Sequence, residues 1–173
     1  KENPIKTISI FEVGFGTGLN AMLSYLYGIE KLVHINYHSL EKYSLEKSTL
    51  NELNYQNYFS EHAEIFNKLH SSPWDLPVEI DSNFSLTKIK SDLKTFQSEP
   101  KFDLIYFDAF GPRVQPELWE KCILQQMYNA LMPNGVWVTY SSKGQVRRDL
   151  QNVGFKVEKI PGPPGKREML RAV

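Results

Sequence analysis

A glycine-rich loop between a short apolar strand and a helix is the feature that most constrains how this sequence can fold. Residues 7–12 form a β-branched and aromatic run, which is typical of a buried strand. In residues 19–27 apolar side chains recur at helical spacing, and Gly14, Gly16 and Gly18 separate the two segments. Glycines after a strand let the backbone turn tightly and approach a ligand closely. The loop therefore predicts an α/β fold with a ligand at the end of its first strand.

The spacing of these glycines separates two classes of cofactor. A dinucleotide site reads G-x-G-x-x-G and places a pyrophosphate at the helix N-terminus, whereas Gly14, Gly16 and Gly18 read G-x-G-x-G, with Glu12 two residues upstream. A carboxylate there repels a pyrophosphate and attracts an ammonium group. S-adenosylmethionine carries an ammonium and a sulfonium and no phosphate, so we expect it as the cofactor; a glycine turn without a ligand is the alternative for the motif alone. The predicted cofactor site also includes Thr17 and Asn20.

The remainder of the chain alternates between strands and helices. Strands are predicted at residues 32–40, 102–107, 136–140, 155–160 and 168–173, and helices at residues 45–55, 61–69, 117–131 and 144–153. Asp81-Ser82-Asn83 resembles a hairpin turn, and Pro133-Asn134-Gly135 is expected to end the helix that Pro116 introduces. This order predicts a Rossmann-like, mostly parallel sheet with helices on both faces and an antiparallel C-terminal strand.

Three acidic residues follow predicted strands. Glu41 stands at the tip of the second strand, where an acid can bind both hydroxyls of a ribose. Asp92, which follows the end of a strand at residues 88–91, can accept a hydrogen bond from the exocyclic amine of adenine. Asp108 follows a buried strand at the sheet edge where ligands of open α/β folds bind. Each also has a simpler interpretation: a solvated strand-end charge for Glu41, and a helix cap or loop acid for Asp92 and Asp108. We expect Glu41 and Asp92 to bind the cofactor and Asp108 to act in chemistry.

Composition limits the class of protein. The 173 residues, of which 41% are hydrophobic, suit one domain spanning residues 1–173. Twenty basic residues balance 20 acidic ones, so binding of a polyanion requires a local patch. Cys122 is the only cysteine, and no apolar run reaches the roughly 20 residues that span a bilayer, so we expect a cytoplasmic protein. The chain begins with Lys1 and enters a strand at once, from which we expect that an upstream segment is missing.

Three segments together resemble the methyltransferase half of the bacterial tRNA 5-methylaminomethyl-2-thiouridine biosynthesis protein MnmC and its stand-alone relatives. The first runs from Glu12 to Asn20 and contains Phe-Gly-Thr-Gly-Leu-Asn. The second is Phe-Asp-Ala-Phe-Gly-Pro at residues 107–112, continuing to Pro-Glu-Leu-Trp at residues 116–119. The third begins at Tyr-Ser-Ser-Lys-Gly, residues 140–144, and ends at Gly-Lys-Arg-Glu-Met-Leu, residues 165–170. They stand in the family's order and extend over nearly the whole chain.

The resemblance implies methyl transfer from S-adenosylmethionine to the aminomethyl nitrogen of a wobble uridine in tRNA. It assigns Gly14, Gly16, Glu41 and Asp92 to the cofactor and places Asp108 near the acceptor amine. An amine that is protonated at neutral pH must lose a proton before it attacks, and Asp108 can accept that proton or orient the amine. Two other classes stay open: a small-molecule or polyamine alkyltransferase or methyltransferase on the same fold, and a non-catalytic S-adenosylmethionine-binding domain.

A basic C-terminal third gives an independent indication of an RNA surface. From Lys143 onward basic residues outnumber acidic ones, and the predicted phosphate contacts are Lys143, Arg147, Arg148, Lys166 and Arg167. A solvated helix face is the alternative. Phe110, Trp119 and Tyr140 are candidates for stacking on a flipped base, although Trp119 equally suits the core. The four histidines show no ligand spacing with Cys122 or nearby acids, so we predict no metal.

Overall fold

A computed structural model describes residues 6–173, which contain eight strands in a mixed sheet. The chain divides into two compact units. Unit 1 comprises the described residues up to Ile8 together with residues 14–91, and unit 2 comprises residues 9–13 and 92–173.

The strands of unit 1 comprise a parallel pair and an antiparallel edge strand. Strand β2 (His34–Glu41) pairs in parallel with β4 (Phe84–Lys90), from Ile35↔Phe84 to Glu41↔Lys90. Strand β3 (Pro77–Asp81) pairs antiparallel with β4, and the intervening turn contains the Asn83 N–H to Asp81 Oδ1 hydrogen bond of 2.7 Å. The predicted hairpin is therefore confirmed.

Four α-helices accompany these strands in the described part of unit 1. They are α1 (Leu19–Lys31), α2 (Lys47–Glu52), α3 (Tyr55–Tyr58) and α4 (Ala63–Ser71). The prediction of one helix over residues 45–55 is wrong, because Leu53 is extended (φ −68°, ψ 124°) and separates α2 from α3. The helical pattern of leucines continues across this break, which explains the error.

Unit 2 has the strand order β1-β5-β6-β8-β7. These strands are β1 (Thr7–Val13, with residues from Ser9 in this unit), β5 (Phe102–Phe107), β6 (Leu131–Thr139), β7 (Val157–Pro161) and β8 (Glu168–Ala172). β1 and β6 each pair in parallel with β5, whereas β8 is antiparallel to both β6 and β7. The predicted antiparallel C-terminal strand is confirmed.

Aromatic packing forms much of the core of unit 2. Phe11 is fully buried, and its ring lies 4.8 Å from that of Phe96 and 4.9 Å from that of Phe102. Phe107 contacts both Trp119, at 5.0 Å between ring centroids, and Trp137, at 5.3 Å. Rings of this size bury a large apolar area and therefore stabilise the packing around β1 and β5.

The prediction for residues 117–131 is only partly right. Pro116 opens a 3₁₀ turn (Pro116–Trp119), and the following helix α5 (Lys121–Ala130) ends before the predicted proline-glycine stop. Residues 133–135 instead lie within β6. A Cβ on Gly135 would lie 3.0 Å from the Phe102 carbonyl oxygen and 2.9 Å from that of Met132, so glycine is needed here for close strand approach rather than to end a helix. The last helix, α6 (Gly144–Asn152), agrees with prediction.

Candidate cofactor and acceptor sites

The glycine loop of unit 1 adopts a backbone that requires glycine. Gly14, Gly16 and Gly18 have φ values of 94°, 49° and 72°, a left-handed region that other residues occupy at a cost. The Gly14 N–H donates to the Leu40 carbonyl of β2 at 2.8 Å, and the Gly18 N–H donates back to the Phe15 carbonyl at 2.8 Å. The loop is thus tied to the end of β2 and folded on itself before α1 begins.

Glu41, predicted to bind ribose, lies against this loop. Its Oε2 accepts a hydrogen bond from the Gly16 N–H at 3.3 Å, and its Oε1 accepts one from the Tyr43 N–H at 2.8 Å. A carboxylate has about four acceptor positions, so both oxygens can still accept hydrogen bonds from hydroxyl groups. The structure therefore brings Gly16 and Glu41 together and fixes the direction of the carboxylate.

A cavity of about 460 Å³ opens beside Gly16 and Glu41 within unit 1. Its other walls come from the glycine loop, from the segment that follows β2, from α2, from α4 and the segment that follows it, and from β4. They are Phe15, Ser44, Leu45, Leu50, Phe66, Asn67, His70, Ser71, Trp74 and Lys88. A partly apolar cavity with a few convergent polar groups is the usual form of a small-molecule site.

His70, which the sequence analysis considered only as a possible metal ligand, contacts the glycine loop directly. Its Nε2 lies 3.1 Å from the Thr17 carbonyl oxygen, while the Thr17 hydroxyl lies 3.2 Å from that of Tyr55. Burial lowers the pKa of His70, and the charge of Lys88 lowers it further, against the opposing effect of the Thr17 hydrogen bond. No local sequence pattern connects His70 with a loop more than fifty residues away, so sequence reasoning could not find it.

The other predicted cofactor residues are distributed over both units. In unit 2, Glu12 is buried near the end of β1, with 1% of its surface exposed, and is paired in register with Tyr106. Asn20 lies in the first turn of α1 in unit 1. Asp92, in unit 2, follows β4, and its Oδ1 accepts a hydrogen bond from the Lys94 N–H at 3.0 Å. This contact caps a turn, and the adenine contact of Asp92 stays a prediction.

In unit 2, the loop that follows β5 holds Asp108. β1 and β5 pair up to Val13↔Phe107, so Asp108 is the first residue beyond the paired ends. Two aromatic side chains donate into consecutive carbonyls of this loop: the Tyr140 hydroxyl to Ala109 at 3.1 Å and the Trp119 indole N–H to Phe110 at 2.9 Å.

The predicted aromatic residues differ in burial and in the contacts that they make. Trp119 is buried, with 6% of its surface exposed, so its structural role outweighs a stacking role. The Phe110 side chain is 67% exposed. Burial raises the pKa of Tyr140, and the charge of Asp108 raises it further. A Cβ on Gly111 would lie 3.2 Å from the Tyr140 hydroxyl, so Gly111 leaves space for it.

The predicted basic residues lie on two parts of unit 2. Lys143 immediately precedes α6, and Arg147 and Arg148 are exposed on that helix, where Arg148 Nη2 donates to Gln145 Oε1 at 2.8 Å. Lys166 Nζ lies 4.3 Å from the Tyr140 ring centroid, and the neighbouring Arg167 is exposed. The structure thus brings one predicted basic residue, Lys166, to the side chain that supports the Asp108 loop.

Other basic residues of this region form ion pairs. Lys159 is paired with Glu168 at 2.7 Å and Arg171 with Glu158 at 2.6 Å. Part of the positive charge of the C-terminal third is therefore paired with carboxylates on the neighbouring strand.

Two further observations concern residues 6–173. Within this range no helix combines the length and apolar character that a membrane crossing requires. The same residues contain no group of three or more histidine, cysteine, aspartate or glutamate side chains arranged to hold a metal ion.

Comparison with known proteins relates the chain to methyltransferases. Residues 46–173 match a family described as S-adenosyl-L-methionine-dependent methyltransferase. The tRNA 5-methylaminomethyl-2-thiouridine biosynthesis bifunctional protein MnmC of Hydrogenovibrio crunogenus is 32% identical over 96% of this chain, and that of Campylobacter hominis is 30% identical over 95%. The chain covers 26% and 25% of these relatives, so it spans about a quarter of their length.

Solved structures agree with this relationship. The crystal structure of MnmC2 from Aquifex aeolicus superimposes with a TM-score of 0.75 at 29% identity, covering 96% of this chain and 53% of that one. A 16S rRNA (adenine(1408)-N(1))-methyltransferase from Catenulisporales acidiphilia shares the fold alone, with a TM-score of 0.58 at 12% identity, over 96% of this chain and 84% of that one. The Rossmann-like fold and the predicted cofactor, S-adenosylmethionine, are confirmed. The chain belongs to the S-adenosyl-L-methionine-dependent methyltransferase family.

Proposed function

We propose that this protein transfers a methyl group from S-adenosylmethionine to the aminomethyl nitrogen of a modified wobble uridine, 5-aminomethyl-2-thiouridine, in tRNA. The observation that carries the proposal is the Asp108 loop. Tyr140 and Trp119 fix the carbonyls of Ala109 and Phe110, while the exposed Phe110 side chain stands two residues after Asp108 in the same loop. This combination suits an acceptor with a planar base and an attached amine.

Each part of the acceptor has a matching group. The exposed Phe110 ring offers a stacking surface for a base that has left the anticodon stack, a contact worth about 1–3 kcal/mol per base. Asp108 accepts a hydrogen bond from the aminomethyl group and orients its lone pair. The relatives support the same acceptor, because the MnmC proteins are named as tRNA 5-methylaminomethyl-2-thiouridine biosynthesis proteins.

The reaction requires two bond changes and one proton loss. The amine first gives up the proton that it carries at neutral pH, for which Asp108 is the proposed acceptor. The nitrogen lone pair then forms the new N–C bond to the methyl carbon as the C–S bond breaks, and the bonding pair stays on sulfur. The proposed cofactor contacts are Glu12, Gly14, Gly16, Thr17, Gly18, Asn20, Glu41 and Asp92.

Positive charge close to the acceptor loop favours a polyanionic substrate. Lys166 lies over the Tyr140 ring, whose hydroxyl holds the Asp108 loop, and Lys143, Arg147, Arg148 and Arg167 complete the proposed phosphate contacts. Action on tRNA fits the cytoplasmic location that the sequence predicts. We also propose that residues 1–173 work as one methyltransferase domain, because the relatives match the chain over nearly its whole length.

The test uses tRNA from cells that lack this methyltransferase activity. The protein that contains this chain is incubated with that tRNA and S-adenosylmethionine, and the nucleosides are analysed by mass spectrometry. We expect the aminomethyl nucleoside to gain one methyl group. Asp108→Asn should lower kcat by roughly 100-fold or more, the scale of a positioned proton acceptor, with unchanged cofactor affinity.

The exposed Glu99 provides a matched control, because Glu99→Gln removes a carboxylate elsewhere in unit 2 and should leave kcat unchanged. Methylation of a free polyamine with no gain of mass in tRNA would overturn the proposal in favour of a small-molecule methyltransferase. Absence of S-adenosylmethionine binding would favour a non-catalytic domain.

A further inference from the structure

Lys88 is a buried cation in the wall of the cavity beside Gly16 and Glu41, and it is not among the proposed cofactor or acceptor contacts. It lies in β4 with 2% of its surface exposed, and its Nζ donates to the His70 carbonyl at 2.7 Å. The ammonium also lies 4.8 Å from the Trp74 ring centroid and 5.4 Å from that of Phe15. An ammonium in such surroundings is costly unless its contacts compensate, and burial lowers the pKa of Lys88 to about 8. An apolar side chain of similar length would fill the same space at lower cost.

His70, whose carbonyl accepts the hydrogen bond from Lys88, also contacts the glycine loop. Lys88 bonds the backbone of His70, and the His70 ring bonds the Thr17 carbonyl at 3.1 Å. Because a carbonyl oxygen only accepts, Nε2 of His70 must carry the hydrogen, which assigns the tautomer. The ring is held by Phe66 and Phe15, with centroids at 4.7 Å and 5.4 Å.

The absence of a side chain at Gly18 leaves room for the His70 ring. A Cβ on Gly18 would lie 3.0 Å from His70 Nε2, so the ring occupies the position that a side chain at residue 18 would take. The loop conformation on this side is therefore defined by contact with His70 as well as by its own glycines. A second contact, from Tyr55 to the Thr17 side chain, acts on the same residue of the loop.

We propose that His70 is a positioning residue for S-adenosylmethionine, which holds the glycine loop in its cofactor-binding conformation through the Thr17 carbonyl and is itself held by Lys88. The proposal rests on the cofactor assignment and does not depend on the identity of the acceptor. Thr17, His70 and Lys88 form a chain of two hydrogen bonds from the loop through α4 to β4. A loop without this chain has more conformations available, and the cofactor must then select the competent one at a cost in affinity.

The first experiment compares two substitutions of His70 by calorimetric titration with S-adenosylmethionine. His70→Leu removes the donor to Thr17 and should raise Kd about tenfold, which is about 1.4 kcal/mol. His70→Gln keeps a side-chain N–H donor and should restore affinity to within about threefold of the wild type. With saturating cofactor, kcat should change by less than about twofold in both variants, because the acceptor contacts are intact. Equal weakening by leucine and glutamine, or no weakening by either, would refute the positioning role.

The second experiment separates positioning from stability by means of Lys88→Met. Methionine replaces the buried ammonium with an apolar chain of similar length, so thermal stability should stay the same or rise. Affinity for S-adenosylmethionine should nevertheless fall about threefold to tenfold, because the His70 backbone loses its donor. A residue with only a structural role moves both quantities in the same direction. Unchanged affinity, or affinity and melting temperature that fall together, would overturn the proposal. Neither outcome bears on the tRNA assignment, because no acceptor is present in the titration.

Discussion

The backbone N–H of Gly16 donates to Glu41 Oε2, so the glycine loop and the acidic end of β2 contact each other directly in unit 1. The second oxygen of Glu41 is held by the Tyr43 N–H. With both oxygens oriented by backbone donors, the carboxylate has lone pairs in fixed directions, which is what the predicted contact with a ribose requires. This relationship supports the assignment of Glu41 to the cofactor more firmly than its position in the sequence does.

Glu41→Gln should weaken S-adenosylmethionine binding by roughly 10-fold to 100-fold, because hydrogen bonds to a charged acceptor contribute about 1.5–3 kcal/mol. The amide retains one oxygen and turns the other acceptor into a donor. Calorimetric titration measures the change. Glu46→Gln, at an exposed carboxylate nearby in the sequence, is the control and should bind normally. Equal affinity of the two variants would contradict the ribose role of Glu41.

Tyr140→Phe should lower kcat by roughly threefold to tenfold at saturating S-adenosylmethionine. The change removes the hydrogen bond to the Ala109 carbonyl, worth about 1 kcal/mol, but keeps the ring that Lys166 contacts. The cofactor Kd should not change. Tyr128→Phe is the matched control, because its ring packs on Phe155 at 4.8 Å. Similar losses of kcat in both variants would show that the Asp108 loop does not depend on the Tyr140 hydroxyl.

Reversing the charge of Arg147 and Arg148 together should raise KM for tRNA by about tenfold or more and leave S-adenosylmethionine affinity unchanged. The dependence of log affinity on log salt should flatten by about 0.7 to 0.9 for each phosphate that the variant no longer neutralises. Charge reversal of the exposed Lys101 and Lys121 gives a control protein with the same net charge as the Arg147 and Arg148 variant. This control should have little effect on KM for tRNA. Normal tRNA turnover by the Arg147 and Arg148 variant would argue against this phosphate surface.

Lys88 should make stability depend on alkaline pH. Its pKa is lowered from 10.5 to about 8 in the folded protein, so the unfolded chain binds more protons between these values. The cost of burying the charge is fully present below about pH 8 and disappears as pH rises towards 10.5. The melting temperature of the wild type minus that of Lys88→Met, measured from pH 7 to 10.5, should therefore rise between about pH 8 and 10.5, since other titrating groups cancel in the difference. A constant difference would show that Lys88 keeps its ordinary pKa.

The sequence could predict features that local chemistry determines. Glycines 14, 16 and 18 have positive φ angles that the motif requires, and the Asp81-Ser82-Asn83 turn forms the expected hairpin. Glu41 could be assigned to the end of the second strand and to the cofactor, because the strand-loop-helix-strand order that precedes it is readable in the sequence. In each case a few consecutive residues carry the information.

Features that depend on contacts distant in sequence could not be predicted. Gly135 has the signature of a helix stop, yet its role is the close approach to Phe102 in the neighbouring strand. His70 and Lys88 show no motif at all, because their importance comes from the Thr17 carbonyl and from burial against Trp74. Neither the sheet register nor the burial of a single lysine is encoded in a local pattern.

The way in which the Asp108 loop is anchored bears on how acceptor preference can change. Tyr140 and Trp119 hold backbone carbonyls, which every amino acid possesses, so the path of the chain does not depend on which side chain residue 110 carries. Phe110 is therefore open to substitution by natural drift or by laboratory redesign, while Asp108 keeps its place. With the acceptor contact proposed for Phe110, exchange of this one exposed aromatic residue would alter the acceptor preference of the protein without rebuilding its scaffold.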